Sequence, residues 1–169
     1  SSQQLARLLP PLPDIVLEPI VKLALAEDLG VAGDVTTDAL IDPDTQGRWA
    51  VRAREAGVVA GLDAATLAGW MIDADMQFAV SAPDGARVRA GDTIMEIEGA
   101  ARSALMAERT MLNFIGRLSG IATMTRVYVD AVAGMGVTIA STRKTTPGLR
   151  ALEKRAVRLG GGGAHRYGL

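Results

Sequence analysis

The last quarter of the chain places a strand, a loop, a helix and a glycine turn in that order, and this order constrains the fold most. Residues 137–140 (Val-Thr-Ile-Ala) form a compact β-branched run that predicts a buried parallel strand. Pro147 stands where a helix would start, the apolar spacing continues to Leu159, and glycines at 160–163 end the helix. Residues 137–163 therefore predict one βα unit. A single unit leaves its strand edges uncovered, so further parallel strands are expected beside it.

Positive charge is concentrated in the same part of the sequence. Residues 1–142 carry 11 basic and 18 acidic side chains, whereas residues 143–169 carry seven basic side chains and one acidic side chain. From charge alone, a solvated helix face and a site for a small, multiply charged anion are both open interpretations. Nucleic acid is a less favoured partner, because only 4% of the residues are aromatic and no nucleic-acid-binding motif occurs.

Four cationic or titratable residues fall at the two ends of the predicted βα unit. Arg143 and Lys144 follow the strand, at the carboxyl edge where barrels and open α/β folds place their sites. His165 and Arg166 follow the glycines, near where a second strand would return. Arg suits bidentate binding of carboxylate or phosphate, and Lys adds a compact positive charge. We expect the four to converge on an anion, although a lone His is more often structural than catalytic.

The composition excludes several classes of site. The chain has no Cys, which excludes disulfides, thiolate zinc sites and cysteine nucleophiles, and its single His excludes a multi-histidine metal site. No apolar run reaches the roughly 18 residues of a membrane span, and the first 16 residues lack a signal-peptide pattern. No glycine-rich nucleotide-binding fingerprint occurs. We therefore expect a soluble, cytoplasmic protein that binds neither membrane nor nucleic acid.

The first 134 residues predict an α+β unit. Helical spacing covers residues 15–29, strand alternation covers 49–53, and a short buried strand follows at 57–61. Asp63 is placed to cap a helix that runs to about Ile72, and residues 76–98 predict two or three short strands. A long helical pattern begins at Ala101, which Gly116 and residues 119–120 are expected to kink or split. The expected organisation is a tail at 1–14, an α+β domain at 15–134 and the start of an α/β domain at 135–169.

Six groups of short motifs follow one another along the chain. They are EDLG at 27–30 with GDVTT at 33–37, VAG at 59–61, GD at 91–92, ERTMLNF at 108–114, LSGIAT at 118–123, and TRKTTPGLR at 142–150 with EKxAV at 153–157 and GGGxHR at 161–166. In this order and spacing they resemble the nicotinate-nucleotide pyrophosphorylases, or quinolinate phosphoribosyltransferases. The resemblance covers nearly the whole chain from about residue 16.

The resemblance implies a fold, an assembly and a set of site residues. The fold is α/β: an α+β N-terminal sandwich domain precedes an α/β barrel, of which this chain would hold only the first βα unit. The assembly is a homodimer or a higher homo-oligomer, in which one subunit's N-terminal domain covers the partner's barrel mouth. Arg143, Lys144, His165 and Arg166 would bind the two carboxylates of quinolinate, and Arg109 would be donated by the partner subunit. No catalytic residue or metal ligand is assigned within this chain.

The implied activity belongs to the biosynthesis of NAD. The ring nitrogen of quinolinate attacks the ribose of phosphoribosyl pyrophosphate while Mg²⁺-bound pyrophosphate leaves, and the adjacent carboxylate is then lost as carbon dioxide to give nicotinate mononucleotide. A dianionic pyridine needs several fixed cations, because desolvating it without them would be prohibitively costly. The family's downstream Lys, its Mg²⁺-binding acidic residues and its phosphate-binding glycine loops have no counterpart in the 169 residues. We therefore expect the chain to be incomplete for catalysis alone.

Two positions depart from the family pattern, and two alternative functions stay open. Ala164 stands where Asn is expected, and Arg155 where Tyr is expected. Residues 76–98, with turns at 83–85 and 91–92, also resemble biotinyl and lipoyl carrier domains, although no Lys lies at a hairpin tip. The second alternative is a phosphoribosyltransferase that acts on a related aromatic acid. Quinolinate is preferred, because the assigned basic side chains exceed what a monocarboxylate needs.

Overall fold

Residues 9–30 and 41–164 are described by a computed structural model of the chain, and helices and strands alternate along these ranges. In chain order the elements are α1 (Asp14–Leu29), β1 (Gln46–Arg52), β2 (Gly57–Val58), α2 (Leu62–Ile72), β3 (Gln77–Val80), β4 (Arg87–Val88), β5 (Thr93–Ala100), α3 (Ala101–Ala131), β6 (Ala140–Ser141), α4 (Arg150–Leu159) and β7 (Gly163–Ala164). This mixture confirms the predicted α/β class. Within the described ranges no helix is long and apolar enough to cross a membrane.

The first part of the chain is built on an antiparallel sheet in the order β1-β5-β3. Ile97 on the central strand pairs with Trp49 on one side and Phe78 on the other. Strands β2 and β4 form a separate antiparallel pair. The buried strand expected at 57–61 is shorter than predicted, because the chain turns into α2 directly after a buried stretch at 58–60.

The core of this part lies between the sheet and helices α1, α2 and α3. Leu17 and Val21 of α1, Met95 of β5 and Met111 of α3 are almost fully buried there. Buried residues of α1 recur every four positions, which explains why the helical spacing at 15–29 predicted this helix correctly. The core thus fixes α3 against the rest of the first part.

Helix α2 begins two residues earlier than predicted, and Asp63 is not its N-cap. The N-cap is Gly61, whose φ of 95° is a conformation that favours glycine. A Cβ atom at this position would lie 2.9 Å from the carbonyl oxygen of Phe114 and 2.8 Å from Leu118. Glycine therefore lets the start of α2 approach α3 closely, and Asp63 lies in the first helical turn instead.

The long helix is not split at Gly116 or at residues 119–120, because α3 runs without a break for 31 residues. The expected kink stays a prediction. Positions 116 and 120 face open space, where a glycine costs the helix only its lower propensity. Ser119 exchanges hydrogen bonds with the backbone of Ala60, outside the helix, so it does not disturb the helical ladder. Burial of Ile115, Leu118 and Ala122 on the opposite face anchors the helix against the core through this region.

The second part of the chain is a βα unit packed on α3. Strands β6 and β7 pair in parallel, and α4 between them buries Leu152, Ala156 and Leu159. The strand predicted at 137–140 is confined to Ala140–Ser141, because β7 pairs only with these two residues. Val137 lies before the strand and is exposed rather than buried. Helix α4 begins at Arg150 rather than Pro147, since Thr146 accepts a backbone hydrogen bond from Leu149 in a turn.

Candidate functional site

Arg143 and Lys144 lie in the loop 142–149, which leads from the carboxyl end of β6 to the start of α4. Both side chains are exposed. The amide of Lys144 donates a hydrogen bond to the hydroxyl of Thr142, 3.1 Å away, and this contact turns the chain sharply after the strand. The structure thus presents two cations at the carboxyl edge of a parallel strand pair. Their part in binding a carboxylate stays a prediction.

A cluster of three polar residues closes the other end of loop 142–149. The amide of Thr146 donates to Oε2 of Glu153 at 3.0 Å, so the loop backbone is bonded to the first turn of α4. Arg117 of α3 donates through Nη2 to both Oε1 of Glu153 and the hydroxyl of Thr146, each at 2.6 Å. Loop, α3 and α4 therefore meet in one hydrogen-bonded cluster, which we call the loop clamp.

The carboxylate of Glu153 is buried but remains ionised. Burial by itself would raise its pKa, but hydrogen bonds from Thr146 and Arg117, together with the charge of Arg117, outweigh burial and lower the pKa below its ordinary value. Position 153 also lies in the first turn of α4, where the helix dipole favours a negative charge. The loop clamp is therefore an ion pair throughout the neutral pH range.

Arg155 forms a second cluster on another side of α4. Its Nε lies 3.3 Å from Oδ2 of Asp63 and its Nη2 lies 3.5 Å from Oδ2 of Asp84, with all three side chains nearly buried. It also donates through Nη1 to the carbonyl of Pro10. Asp84 in turn accepts a hydrogen bond from the amide of Leu62 at the start of α2. Arg155 therefore joins the βα unit to the first part of the chain through charge.

The pKa of Asp84 is raised from its ordinary value of 3.8 to about 6. Burial is the main cause and the nearby charge of Asp63 adds to it, whereas the Leu62 amide and Arg155 act in the opposite direction. The carboxyl group is thus poised to change its charge in mildly acidic solution.

Arg109 lies on the face of α3 opposite the buried face. Its Nη1 is 2.8 Å from Oδ1 of Asp28 in the last turn of α1. Steps of three, four or seven residues along α3 place several exposed apolar side chains on the same face. These are Leu105, Leu112, Met124 and Val127, interspersed with Gly116 and Gly120. Arg109 is therefore presented on a helix face that also carries an exposed apolar surface.

The remaining assigned residues, His165 and Arg166, lie outside the described residues, so their convergence with Arg143 and Lys144 stays a prediction. Ala164 is in β7, beside Ser141 of β6. Among residues 9–30 and 41–164, no group of three His, Cys, Asp or Glu side chains could hold a metal ion.

The sequence predicted neither the loop clamp nor the cluster that Arg155 forms with Asp63 and Asp84. In the sequence, Asp84 falls within a predicted turn and Asp63 at a predicted helix cap, while Arg117 belongs to no motif. One signal was available for Glu153, because it is the single acidic residue among residues 143–169. An isolated acid within a strongly basic segment indicates a specific partner, and that partner is Arg117.

Two family models match adjoining parts of the chain. Residues 34–119 match the quinolinate phosphoribosyl transferase N-terminal domain, and residues 121–169 match the C-terminal domain of the same enzyme. These matches favour the enzyme family over the carrier-domain alternative.

Curated relatives agree with the family models. The chain is 46% identical over 156 residues to the nicotinate-nucleotide pyrophosphorylase (carboxylating) of Mycobacterium leprae, covering 88% of this chain and 53% of that protein. It is 42% identical to quinolinate phosphoribosyltransferase (decarboxylating) 1b of Nicotiana tabacum, covering 93% of this chain and 44% of that protein. The chain thus spans about half the length of these relatives.

Solved structures show the same fold. The crystal structure of NadC from Streptococcus pyogenes superposes with a TM-score of 0.89 at 41% identity, covering 94% of this chain and 56% of that chain. The nicotinate-nucleotide pyrophosphorylase from Francisella tularensis superposes with a TM-score of 0.88 at 37% identity, over 94% and 56% of the two chains.

Proposed function

The chain belongs to the quinolinate phosphoribosyltransferase family, and on this premise we propose that it carries the quinolinate-binding edge of a decarboxylating phosphoribosyltransferase. The full-length enzyme would join quinolinate to phosphoribosyl pyrophosphate and release pyrophosphate, carbon dioxide and nicotinate mononucleotide. The observation that carries the proposal is the exposed pair Arg143 and Lys144, at the carboxyl end of a parallel strand.

The chemistry of this edge suits a dicarboxylate. The guanidinium of Arg143 can accept one carboxylate in a bidentate manner, and the ammonium of Lys144 offers a second positive charge to the other. With the ring held by its carboxylates, the ring nitrogen is left to attack the anomeric carbon of the ribose. Fixing two reactants in this way supplies much of the acceleration in a bimolecular transfer. We include His165 and Arg166 in the same site as a proposal from their motif.

We propose that Arg109 completes the site of a second subunit in a homodimer. The proposal is supported by the exposed apolar side chains that accompany Arg109 on α3, such as Leu112 and Met124. Exposed apolar patches of this kind are typical of surfaces that another protein covers. In a two-fold assembly each subunit would give its Arg109 to the other.

Mg²⁺ would enter the reaction together with phosphoribosyl pyrophosphate. The described residues do not fit a magnesium site of their own, because the closely placed carboxylates of Asp63 and Asp84 already share Arg155 as counter-ion. We therefore propose protein ligands for Mg²⁺ outside the described residues and assign no step of the reaction to the metal here.

A cytoplasmic setting is also proposed, supported by the absence of Cys from the sequence.

The proposed function is tested by incubating the full-length protein with quinolinate, phosphoribosyl pyrophosphate and Mg²⁺ and measuring nicotinate mononucleotide and carbon dioxide. Nicotinic acid in place of quinolinate serves as the control substrate, because it lacks the second carboxylate. Equal or faster turnover of nicotinic acid would point to a related acid as the substrate. The 169-residue chain alone is expected to form no product.

A further inference from the structure

We propose that Glu153, acting with Arg117 in the loop clamp, is a positioning residue that holds Arg143 and Lys144 in the arrangement that binds quinolinate. The inference rests on the proposed function, since it concerns the substrate affinity of that site. Neither side chain is required to touch quinolinate. Both act through Thr146 on the path of loop 142–149.

The first argument is the completeness with which the clamp fixes Thr146. The Thr146 amide is bonded to Glu153 and the Thr146 hydroxyl to Arg117, so backbone and side chain are both held. Thr146 follows Lys144 by two residues and Arg143 by three. Because consecutive Cα atoms are only about 3.8 Å apart, Thr146 is the nearest fixed point to these cations on the α4 side of the loop, and releasing it would free their backbone on that side. Two cations that must match two carboxylates do not tolerate such movement.

The second argument is that the clamp is not needed to attach α4 to α3. Leu152, Ala156 and Leu159 are almost fully buried on α4 and already form the apolar contact between α4 and its neighbours. Burying a carboxylate costs free energy unless the carboxylate accepts hydrogen bonds. The carboxylate of Glu153 accepts its hydrogen bonds from the Thr146 amide in the loop and from Arg117. The position of Glu153 is therefore better explained by what it does to loop 142–149 than by helix packing.

The third argument is that other contacts of the loop leave its centre dependent on the clamp. Lys144 is bonded to Thr142 near the strand, and Arg150 donates to the hydroxyl of Thr145 at 3.2 Å on an exposed surface. Exposed hydrogen bonds of this kind hold a loop weakly. The buried carboxylate of Glu153 is the firmer anchor among these contacts.

The test measures steady-state kinetics of the full-length protein with Glu153→Ala, Glu153→Gln and a matched control, Ala156→Gly. Ala156→Gly weakens the same helix through its lower helix propensity but removes no bond to the loop. We expect Glu153→Ala to raise the KM for quinolinate about tenfold, the effect of losing a hydrogen bond to a charged group. The KM for phosphoribosyl pyrophosphate should stay within about twofold. Glu153→Gln keeps one acceptor for the Thr146 amide and should give an intermediate value.

Hydrogen exchange of peptides covering loop 142–149 is measured on the same proteins without substrate. Faster exchange in Glu153→Ala than in Ala156→Gly would support the clamp. An unchanged KM for quinolinate in Glu153→Ala would overturn the inference. An equal rise of this KM in Ala156→Gly would also overturn it, because the effect would then come from the stability of the helix. If Glu153→Ala does not fold, the comparison of Glu153→Gln with Ala156→Gly decides in the same way. A wild-type protein that forms no nicotinate mononucleotide would instead overturn the proposed function, and the inference with it.

Discussion

The Nη1 atom of Arg109 lies 2.8 Å from Oδ1 of Asp28, so an ion pair joins the first third of α3 to the last turn of α1. The Arg109 side chain is 74% exposed and that of Asp28 only 19%. An ion pair this exposed contributes little to stability, but it restricts the directions that the Arg109 side chain can take. The Arg109 side chain is thereby held beside the end of α1 and stays largely exposed.

This geometry leads to a prediction for mixed dimers. In the full-length protein we expect Arg109→Ala and Lys144→Ala each to be inactive alone and to regain activity when the two are mixed. A mixed dimer contains one site with both residues intact, so up to about half of the activity of a wild-type dimer could return. The measurement is nicotinate mononucleotide formation after subunit exchange, with exchange verified by native mass spectrometry. Exchange without recovered activity would show that Arg109 is not shared between subunits.

Arg143 is expected to bind a substrate carboxylate directly. Arg143→Ala in the full-length protein should weaken quinolinate binding by about 2–5 kcal/mol, because it leaves a carboxylate unpaired in the site. Binding of phosphoribosyl pyrophosphate should change much less. Titration calorimetry with each ligand measures both, and Arg48→Ala, which removes an exposed pair with Glu96 on the sheet, is the control. An unaltered quinolinate affinity would remove Arg143 from the site.

Arg155 is expected to be important for stability rather than for catalysis. Arg155→Met would leave the carboxylates of Asp63 and Asp84 buried close together without their shared counter-ion. Breaking a buried ion pair by removing one partner costs about 3–5 kcal/mol of unfolding free energy. Urea unfolding followed by Trp fluorescence at pH 8 measures the loss. Arg48→Met, which breaks an exposed pair, should cost less than about 1 kcal/mol, and an equal loss in both variants would contradict the prediction.

Asp84 is expected to make stability depend on pH. Its pKa of about 6 in the folded chain lies above the ordinary value of 3.8, so the folded state binds the proton more tightly than the unfolded state. The resulting stabilisation is fully present below pH 3.8 and is lost as the pH rises through about 6. Over this window the unfolding free energy should fall by about 3 kcal/mol, the equivalent of the shift in pKa.

The variant Asp84→Asn isolates this effect. The amide cannot ionise, so the difference in unfolding free energy between wild type and variant should change between pH 4 and pH 6 and level off above it. Glu153, whose pKa is lowered, loses its stabilising contribution only as the pH falls below its ordinary value of 4.5, and it does so in both proteins. Parallel stability curves for the two proteins would show that Asp84 does not titrate in this range.

Two glycines of contrasting surroundings give a further prediction. Gly61→Ala should lower the unfolding free energy by more than about 1 kcal/mol, because φ is 95° there and a Cβ atom would press against the backbone of Phe114. Gly116→Ala should instead raise it by about 0.5–1 kcal/mol in the monomer, since position 116 is helical and faces open space. Thermal unfolding measures both. A destabilising Gly116→Ala at low protein concentration would contradict the open surroundings of position 116.

The local periodicity of apolar residues predicted most of the helices and strands, but it could not predict contacts between residues that are distant in the sequence. Helix α1, strand β1 and the βα unit follow from apolar spacing and turn residues, which depend on neighbours in the sequence. The unbroken course of α3 does not, because the apolar contacts of Ile115 and Leu118 with the core outweigh the low helix propensity of Gly116 and Gly120. The division into domains at 15–134 and 135–169 stays a prediction.

In the candidate site, too, the local features could be predicted from the sequence and the contacts between distant residues could not. The positions of Arg143 and Lys144 follow from a strand signal and a neighbouring loop. The loop clamp joins residues 36 positions apart, and Arg155 reaches Asp84 across 71 positions. No sequence pattern encodes such pairs, because they arise only when α4 packs against α3 and Arg155 reaches Asp63 and Asp84. The motif resemblance predicts substrate-binding residues, but it does not predict the contacts of the loop clamp or of Arg155.

The unbroken helix α3 sets a fixed distance between two functions of the chain. Arg109, proposed for a neighbouring subunit, and Arg117, which holds loop 142–149, are eight residues apart on one rigid rod, or about 12 Å along its axis. Inserting or deleting one residue between them would rotate one against the other by about 100°, the angle of a single helical step. Sequence length between these two arginines should therefore be invariant wherever both functions are retained, even where the intervening side chains vary.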